Sequence, residues 1–226
     1  MTAALRQIAL LCEKDLRVEA RTRQTLGLVM VLGLLIIVVL GLGLGPQQLK
    51  TGAAATSILW VAYLFGGVLC FEKTMAVERH DGALAALCLA PVDRSVIYFA
   101  KLLTNLVLMA LMALAVTPAA IIFFHFDLSA APGRFAAIMA ISMIGFAAVG
   151  TLFSAAVSST RLQGGLLALV IFPICLPLVM TSTQLMLRLF SAQSSEVGLG
   201  SVAILVAFDA MYLIVSWLVF EMVLEP

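Results

Sequence analysis

Six runs of nearly continuous apolar residues divide the chain, at approximately 25–45, 53–71, 96–124, 134–157, 165–187 and 201–221. A helix needs roughly 20 apolar residues to cross a hydrocarbon core of about 30 Å, so each run predicts one transmembrane span. Polar punctuation separates them: Gly45-Pro46-Gln47-Gln48, a charged stretch over 72–95, His125 to Gly133, Ser158-Ser159-Thr160-Arg161, and Arg188 to Gly200. Helices are required rather than barrel strands, because lipid offers no partner to free backbone groups and these runs far exceed a barrel strand. Residues 1–24 carry a different pattern. There Leu5, Ile8, Cys12 and Leu16 recur at helical spacing, with Arg6, Arg17 and Arg21 opposite. That predicts an amphipathic helix lying in the cytoplasmic interface, with a frayed tail that only enforces topology as the alternative.

Composition agrees with the pattern. Of 226 residues, 63% are hydrophobic and 11% charged, against roughly 45–50% and about 25% in soluble domains. The expected fold class is an all-α integral membrane protein, divided into an interfacial helix at 1–24 and a six-span domain at 25–226. A net charge of +1 lacks the clustered positive field that a nucleic-acid partner demands; the bilayer is the expected surrounding. With the N-terminus inside, Arg6, Lys14, Arg17, Arg21, Arg23, Lys73, Arg79, Arg94, Lys101 and Arg161 fall on the cytoplasmic side. Only Lys50, Arg134 and Arg188 fall on the other, which predicts both termini in the cytoplasm. Residues 1–24 do not read as a secretory signal, being too charged and running into a full-length span.

Candidate chemistry is sparse. Cys12, Cys70, Cys88 and Cys175 show no metal-ligand spacing and are expected to be small buried hydrophobes. His80 and His125 are expected at opposite membrane faces, so they cannot share a catalytic or metal site, and no enzyme is expected. Gly45-Pro46-Gln47-Gln48-Leu49-Lys50-Thr51 lacks the glycine and spacing of a phosphate-binding loop. If ATP drives this chain, another subunit binds it. Asp209 lies deep in the sixth run, where a carboxylate must face protein or water or stay protonated as a packing element. Pro173 and Pro177 remove two backbone donors within about one turn of the fifth, which predicts a bend, moving or static.

The charged stretch from Glu72 to Arg94 is the densest interior patch of polarity. Val77, Leu84, Leu87 and Cys88 recur on one helical face, while Glu72, Lys73, Glu78, Arg79 and Asp81 supply charges for a partner. Gly82 is expected to break or bend the helix and Ala90-Pro91 to stop its second piece, giving a rigid, short, two-part helical lever joined to spans two and three. A solvated loop that only holds topology is the alternative.

The same segment carries a resemblance. Ala76-Val77-Glu78-Arg79-His80-Asp81-Gly82-Ala83-Leu84, followed by Leu87-Cys88-Leu89-Ala90-Pro91-Val92-Asp93-Arg94-Ser95, resembles the E-R-x-x-G-x-L then L-x-P-x-x-R pattern of ABC-2-like export permeases. In the detail L-A-P-x-x-R it is most similar to the cytochrome c maturation protein B (CcmB) family of haem-exporter permease subunits. Lys14-Asp15-Leu16, Ile58 to Phe65, Gly145 to Leu152 and Phe172-Pro173 to Pro177-Leu178 extend the resemblance over most of the chain.

The resemblance implies a subunit of an ATP-driven complex in the bacterial inner membrane. Its implied partners are an ABC ATPase, a second copy of this chain, a haem-handling membrane subunit and a periplasmic haem chaperone. ATP would sit on the partner and haem would be handled by the complex, with no cofactor bound by this chain. By analogy Glu72, Glu78, Arg79, Asp81, Gly82, Leu84, Leu87, Pro91 and Arg94 would form the ATPase-coupling interface. The output would be haem crossing the bilayer or release of a haem-loaded chaperone. His125, beside Phe123, Phe124 and Phe126, is the sole candidate haem ligand at the outer face, and a membrane-boundary residue otherwise. Two other classes stay open: a generic ABC exporter of lipid, drug or glycan, and a secondary transporter, for which Asp209 alone is thin support.

Overall fold

The structure, a computed structural model, describes residues 2–44, 52–80, 92–124, 131–158, 166–190 and 199–223. Among these residues the fold is all helix. The order is α1 (Thr2–Thr22), α2 (Gln24–Gly43), α3 (Gly52–His80), α4 (Arg94–Phe124), α5 (Pro132–Ser158), α6 (Leu166–Phe190) and α7 (Leu199–Val223). From α2 onward, six helices are long and apolar enough to cross a membrane. They match the six apolar runs with one large difference, at the end of the second.

There α3 continues without interruption through Glu72 to His80, so the helical piece expected before Gly82 is one rod with the second span. Its residues explain the continuity, since Glu72-Lys73-Thr74-Met75-Ala76-Val77-Glu78 contains no glycine or proline and is rich in helix formers. Tertiary packing adds to this, because Met75 and Glu78 are buried against neighbouring helices. The expected break at Gly82 and stop at Pro91 lie outside the described residues, as do Asp81, Leu84, Leu87 and His125.

At the other end of the bundle, Pro132 opens α5 as its first residue, where a missing N–H costs nothing. Phe135 N–H donates back to the Ala131 carbonyl over 3.1 Å. Helix α5 is the hub: it packs against α3, α4, α6 and α7. Small residues make that closeness possible. Gly67 on α3 faces the ring of Phe146 on α5, and Gly150 on α5 faces the ring of Phe71 on α3. The two rings meet edge to face at 5.1 Å, so each aromatic fills the space that a glycine vacates on the opposite helix. Helices α2 and α7, by contrast, leave most of their surface outside the bundle. Leu42, Val31, Leu218 and Met222 are among the exposed apolar side chains, as a lipid-facing surface requires.

The amphipathic helix α1 packs against α4 and touches α2. Its buried positions are Cys12 and Glu19, with Leu16 packed against the core, whereas Leu5 is exposed. The junction with α2 is Arg23, which adopts the left-handed conformation with φ 53°. Such a residue cannot cap the next helix in the usual extended geometry. Glu19 supplies the cap instead. Its Oε1 accepts the backbone N–H of Leu26 at 2.8 Å, satisfying one of the free donors at the start of α2.

Candidate functional site

At the end of the bundle where α3 and α4 adjoin the 81–91 segment, four charged side chains converge. Lys101, two turns into α4, places Nζ 2.7 Å from Glu78 Oε1 on α3 and 2.7 Å from Asp15 Oδ2 on α1. Lys14 Nζ lies 3.0 Å from Asp15 Oδ1 and donates to the same Glu78 oxygen. Two lysines and two carboxylates cancel, as a cluster in a poorly polarisable setting must. The Lys101 and Glu78 side chains are only 5% and 2% exposed. Burial acts against the Lys14 ammonium, but the bond to Glu78 and the field of Asp15 outweigh it, raising its pKa above the ordinary lysine value.

Glu78, expected by resemblance at the ATPase-coupling interface, has its carboxylate inside this cluster. Its carboxylate does not stand out in water for a docking partner; it points inward and ties three helices together. Oε2 of Glu78 is buried without a hydrogen-bond partner among the described residues, so Oε1 alone receives both lysines. Lys14 and Lys101, read as topology charges, are structural counter-ions as well. A signal was present: Lys101 stands inside an apolar run, and an ionisable group there calls for a partner. What sequence reasoning lacked was the partner's address, because Glu78 and Asp15 are 23 and 86 residues away.

One turn deeper, a neutral polar ladder continues from the cluster. Thr74 on α3 donates to Asn105 Oδ1 on α4 at 2.8 Å, and Asn105 Nδ2 donates to Thr151 Oγ1 on α5 at 2.9 Å. Three spans are thus cross-linked where lipid or side chains exclude water. Neither Thr74 nor Asn105 stood out in the sequence, and Thr151 did so only by its place in the Gly145 to Leu152 resemblance.

The remaining expected site residues fall in separate places. Glu72 is half-buried and Lys73 exposed on α3, while the side chain of Arg79 lies outside the described residues. Arg94 donates from Nη1 to the carbonyl of Glu221 at 3.1 Å, and Trp217 Nε1 donates to Ser95 Oγ at 2.9 Å. Those bonds bring the end of α7 to the same end of the bundle as α1 and the α3–α4 connection. Helix α1, the end of α3, the start of α4 and the end of α7 therefore share one side.

Asp209 sits mid-way along α7, 6% exposed, against Gly145 of α5 and Leu178 of α6. Neither of its carboxyl oxygens has a hydrogen-bond partner in good geometry among the described residues. Nearby, Tyr212 donates to the Ile174 carbonyl at 2.6 Å, and Ser142 and Ser182 are hydrogen-bonded to each other. Pro173 and Pro177 both lie inside the unbroken α6. Among the described residues no cluster of His, Cys, Asp and Glu is arranged to hold a metal ion.

An all-helical membrane protein with six spans, its N-terminal helix locked by buried charge to one end of the second and third, is the class that fold and site define. The pattern of the CcmB protein family matches residues 6–225, and the chain belongs to that family. It is similar to heme exporter protein B of Rhodobacter capsulatus, 26% identical over 196 residues that cover 85% of this chain and 88% of that one. Heme exporter protein B of Paracoccus denitrificans is 27% identical over 180 residues, covering 77% and 80%.

Proposed function

We propose that this chain is the membrane subunit of an ATP-driven haem-export complex of cytochrome c maturation, with ATP hydrolysed on a partner chain. The observation that carries this reading is the family match over residues 6–225, together with relatives named heme exporter protein B that align over four-fifths or more of their own length. On this reading the complex resides in the bacterial inner membrane with both termini in the cytoplasm. A second copy, a haem-handling membrane subunit and a periplasmic chaperone complete it.

Coupling enters through the α3–α4 connection. The helical rod of α3 runs without a break from Gly52 to His80, so a push on the 81–91 segment is transmitted along a stiff element. Glu78 and Lys101 carry that push to α4 and α1 rather than to the ATPase itself. Docking falls to the residues beyond them: Arg79, Asp81, Gly82, Leu84, Leu87 and Pro91, with Glu72 and Arg94 at the margins. Release of a haem-loaded chaperone is the output this reading favours, with haem itself ligated on a companion subunit.

The test is isolation of the complex in mild detergent with subunit stoichiometry and haem absorption measured together. An ATPase chain and a haem-bearing membrane chain are expected at fixed ratios. Recovery of an ATPase without any haem-handling subunit would favour a generic exporter instead. Charge reversal at Arg79 is expected to release the ATPase while leaving membrane insertion intact; normal ATPase recovery with that variant removes Arg79 from the interface.

A further inference from the structure

We propose that the cavity between α1, α2, α3 and α4 is a binding site for the headgroup of a phospholipid that carries a primary ammonium. The cavity has a volume of about 380 Å³ and is lined by the last turns of α1, the first of α2, the last of α3 and an inner stretch of α4. It is therefore placed at the ends of three spans, where lipid headgroups reside. Gln24 and Thr25 contribute polar wall, and Val77 and Leu108 contribute apolar wall.

The charge arrangement selects the ligand. Asp15 also lines the cavity, but its carboxylate is committed to Lys101 and Lys14 within a cluster that is neutral as a whole. That leaves Glu19 and Lys73 as the other charges on the wall among the described residues. Glu19 is nine-tenths buried, and among the described residues its side chain accepts one hydrogen bond, from the backbone N–H of Leu26. No lysine or arginine pairs with it among the described residues. A largely buried carboxylate whose second oxygen has no protein partner among the described residues but stays accessible is suited to accept a cation. Lys73, by contrast, is exposed at the rim. A zwitterion with its ammonium at Glu19 and its phosphate toward Lys73 and Gln24 matches both ends.

Headgroup chemistry narrows this further. A primary ammonium donates three hydrogen bonds, to Glu19 and to neighbouring hydroxyls such as Thr25, whereas a choline has no N–H to donate. A glycerol headgroup brings no cation and leaves Glu19 without its counter-charge. Phosphatidylethanolamine has the required groups without the extra carboxylate that phosphatidylserine would bring beside Glu19, and soluble phosphoethanolamine shares them without the chains.

The full-length chain in nanodiscs of mixed lipid, measured by native mass spectrometry, tests the site. Phosphatidylethanolamine is expected to be retained over phosphatidylcholine and phosphatidylglycerol by about tenfold or more, the strength of one charge-assisted hydrogen bond. Glu19→Gln keeps the bond to Leu26 through its amide oxygen and should abolish that preference. Lys73→Gln should weaken retention of every phospholipid while preserving the preference. Ala76→Phe, at an exposed position on the cavity wall, should exclude all of them without touching Glu19. Equal retention of the ethanolamine and choline lipids by the unmodified chain, or an unchanged preference in Glu19→Gln, overturns the proposal. So does displacement by soluble phosphoethanolamine at concentrations matching the lipid, which marks a soluble ligand, or loss of the lipid once companion subunits are bound, which marks a protein occupant.

Discussion

Lys101 on α4 and Glu78 on α3 meet at 2.7 Å with both side chains buried, and neither is left with water as an alternative partner. Truncating one therefore unbalances the buried cluster and leaves the other a single counter-ion, Lys14 for Glu78 or Asp15 for Lys101. Lys101→Met is expected to lower stability by about 3–5 kcal/mol, measured as unfolding of the purified chain in detergent. Glu78→Gln should also destabilise, and the double variant should cost clearly less than the two single effects added together. Strict additivity would show that the pair is not coupled.

Asn105 is the middle rung between Thr74 and Thr151, so its loss takes a partner from both hydroxyls, of which Thr74 keeps the Cys70 carbonyl. Asn105→Leu is expected to cost about 1–3 kcal/mol for groups left unsatisfied. Thr151→Val, which removes one rung, should cost less. The same detergent unfolding series ranks them, and an equal or larger effect for Thr151→Val contradicts the ladder.

Asp209 and Gly145 touch across the α5–α7 contact, with no room for a larger side chain between them. Asp209→Asn keeps the shape and removes the acid, so normal membrane insertion is expected together with reduced cytochrome assembly. Unchanged assembly at normal protein level assigns Asp209 to packing alone. Gly145→Leu should instead destabilise by about 1–3 kcal/mol through overpacking, visible as lowered thermal stability.

Arg23 holds a left-handed backbone between α1 and α2. Glycine adopts that conformation without the steric penalty, so Arg23→Gly is expected to stabilise the junction by about 1 kcal/mol, whereas a β-branched Arg23→Val should weaken it. Protease cleavage near residue 23 reads this out. Slower cutting is expected in the glycine variant and faster cutting in the valine variant.

The element pattern was almost wholly legible. Spans are set by hydrocarbon thickness, a local requirement that each apolar run meets alone, and five of the six agree with the helices to within a few residues. The second differs because a helix does not stop where hydrophobicity stops. Residues 72–80 keep helical propensity, and burial of Met75 and Glu78 rewards the continuation. The candidate site was legible in part. Motif resemblance picked out Glu78, and Lys14-Asp15 by its place in the aligned arm, but assigned Glu78 to the surface. Thr74, Asn105 and Glu19 left no trace, and Thr151 only its place in the Gly145 to Leu152 resemblance, since a lone polar residue near an apolar run carries no sign of what it will face.

By itself the sequence determined the class of protein, the number of spans and the family, because hydrophobic length and short motifs are properties of contiguous residues. Only the tertiary structure decided which charges are spent inside the protein and which remain for other molecules. Lys101 finds Glu78 and Asp15 only when α1, α3 and α4 are packed together, and burial then turns charges that looked free into a neutral internal joint. Pairing across 23 and 86 residues depends on helix packing in three dimensions, which no local pattern encodes.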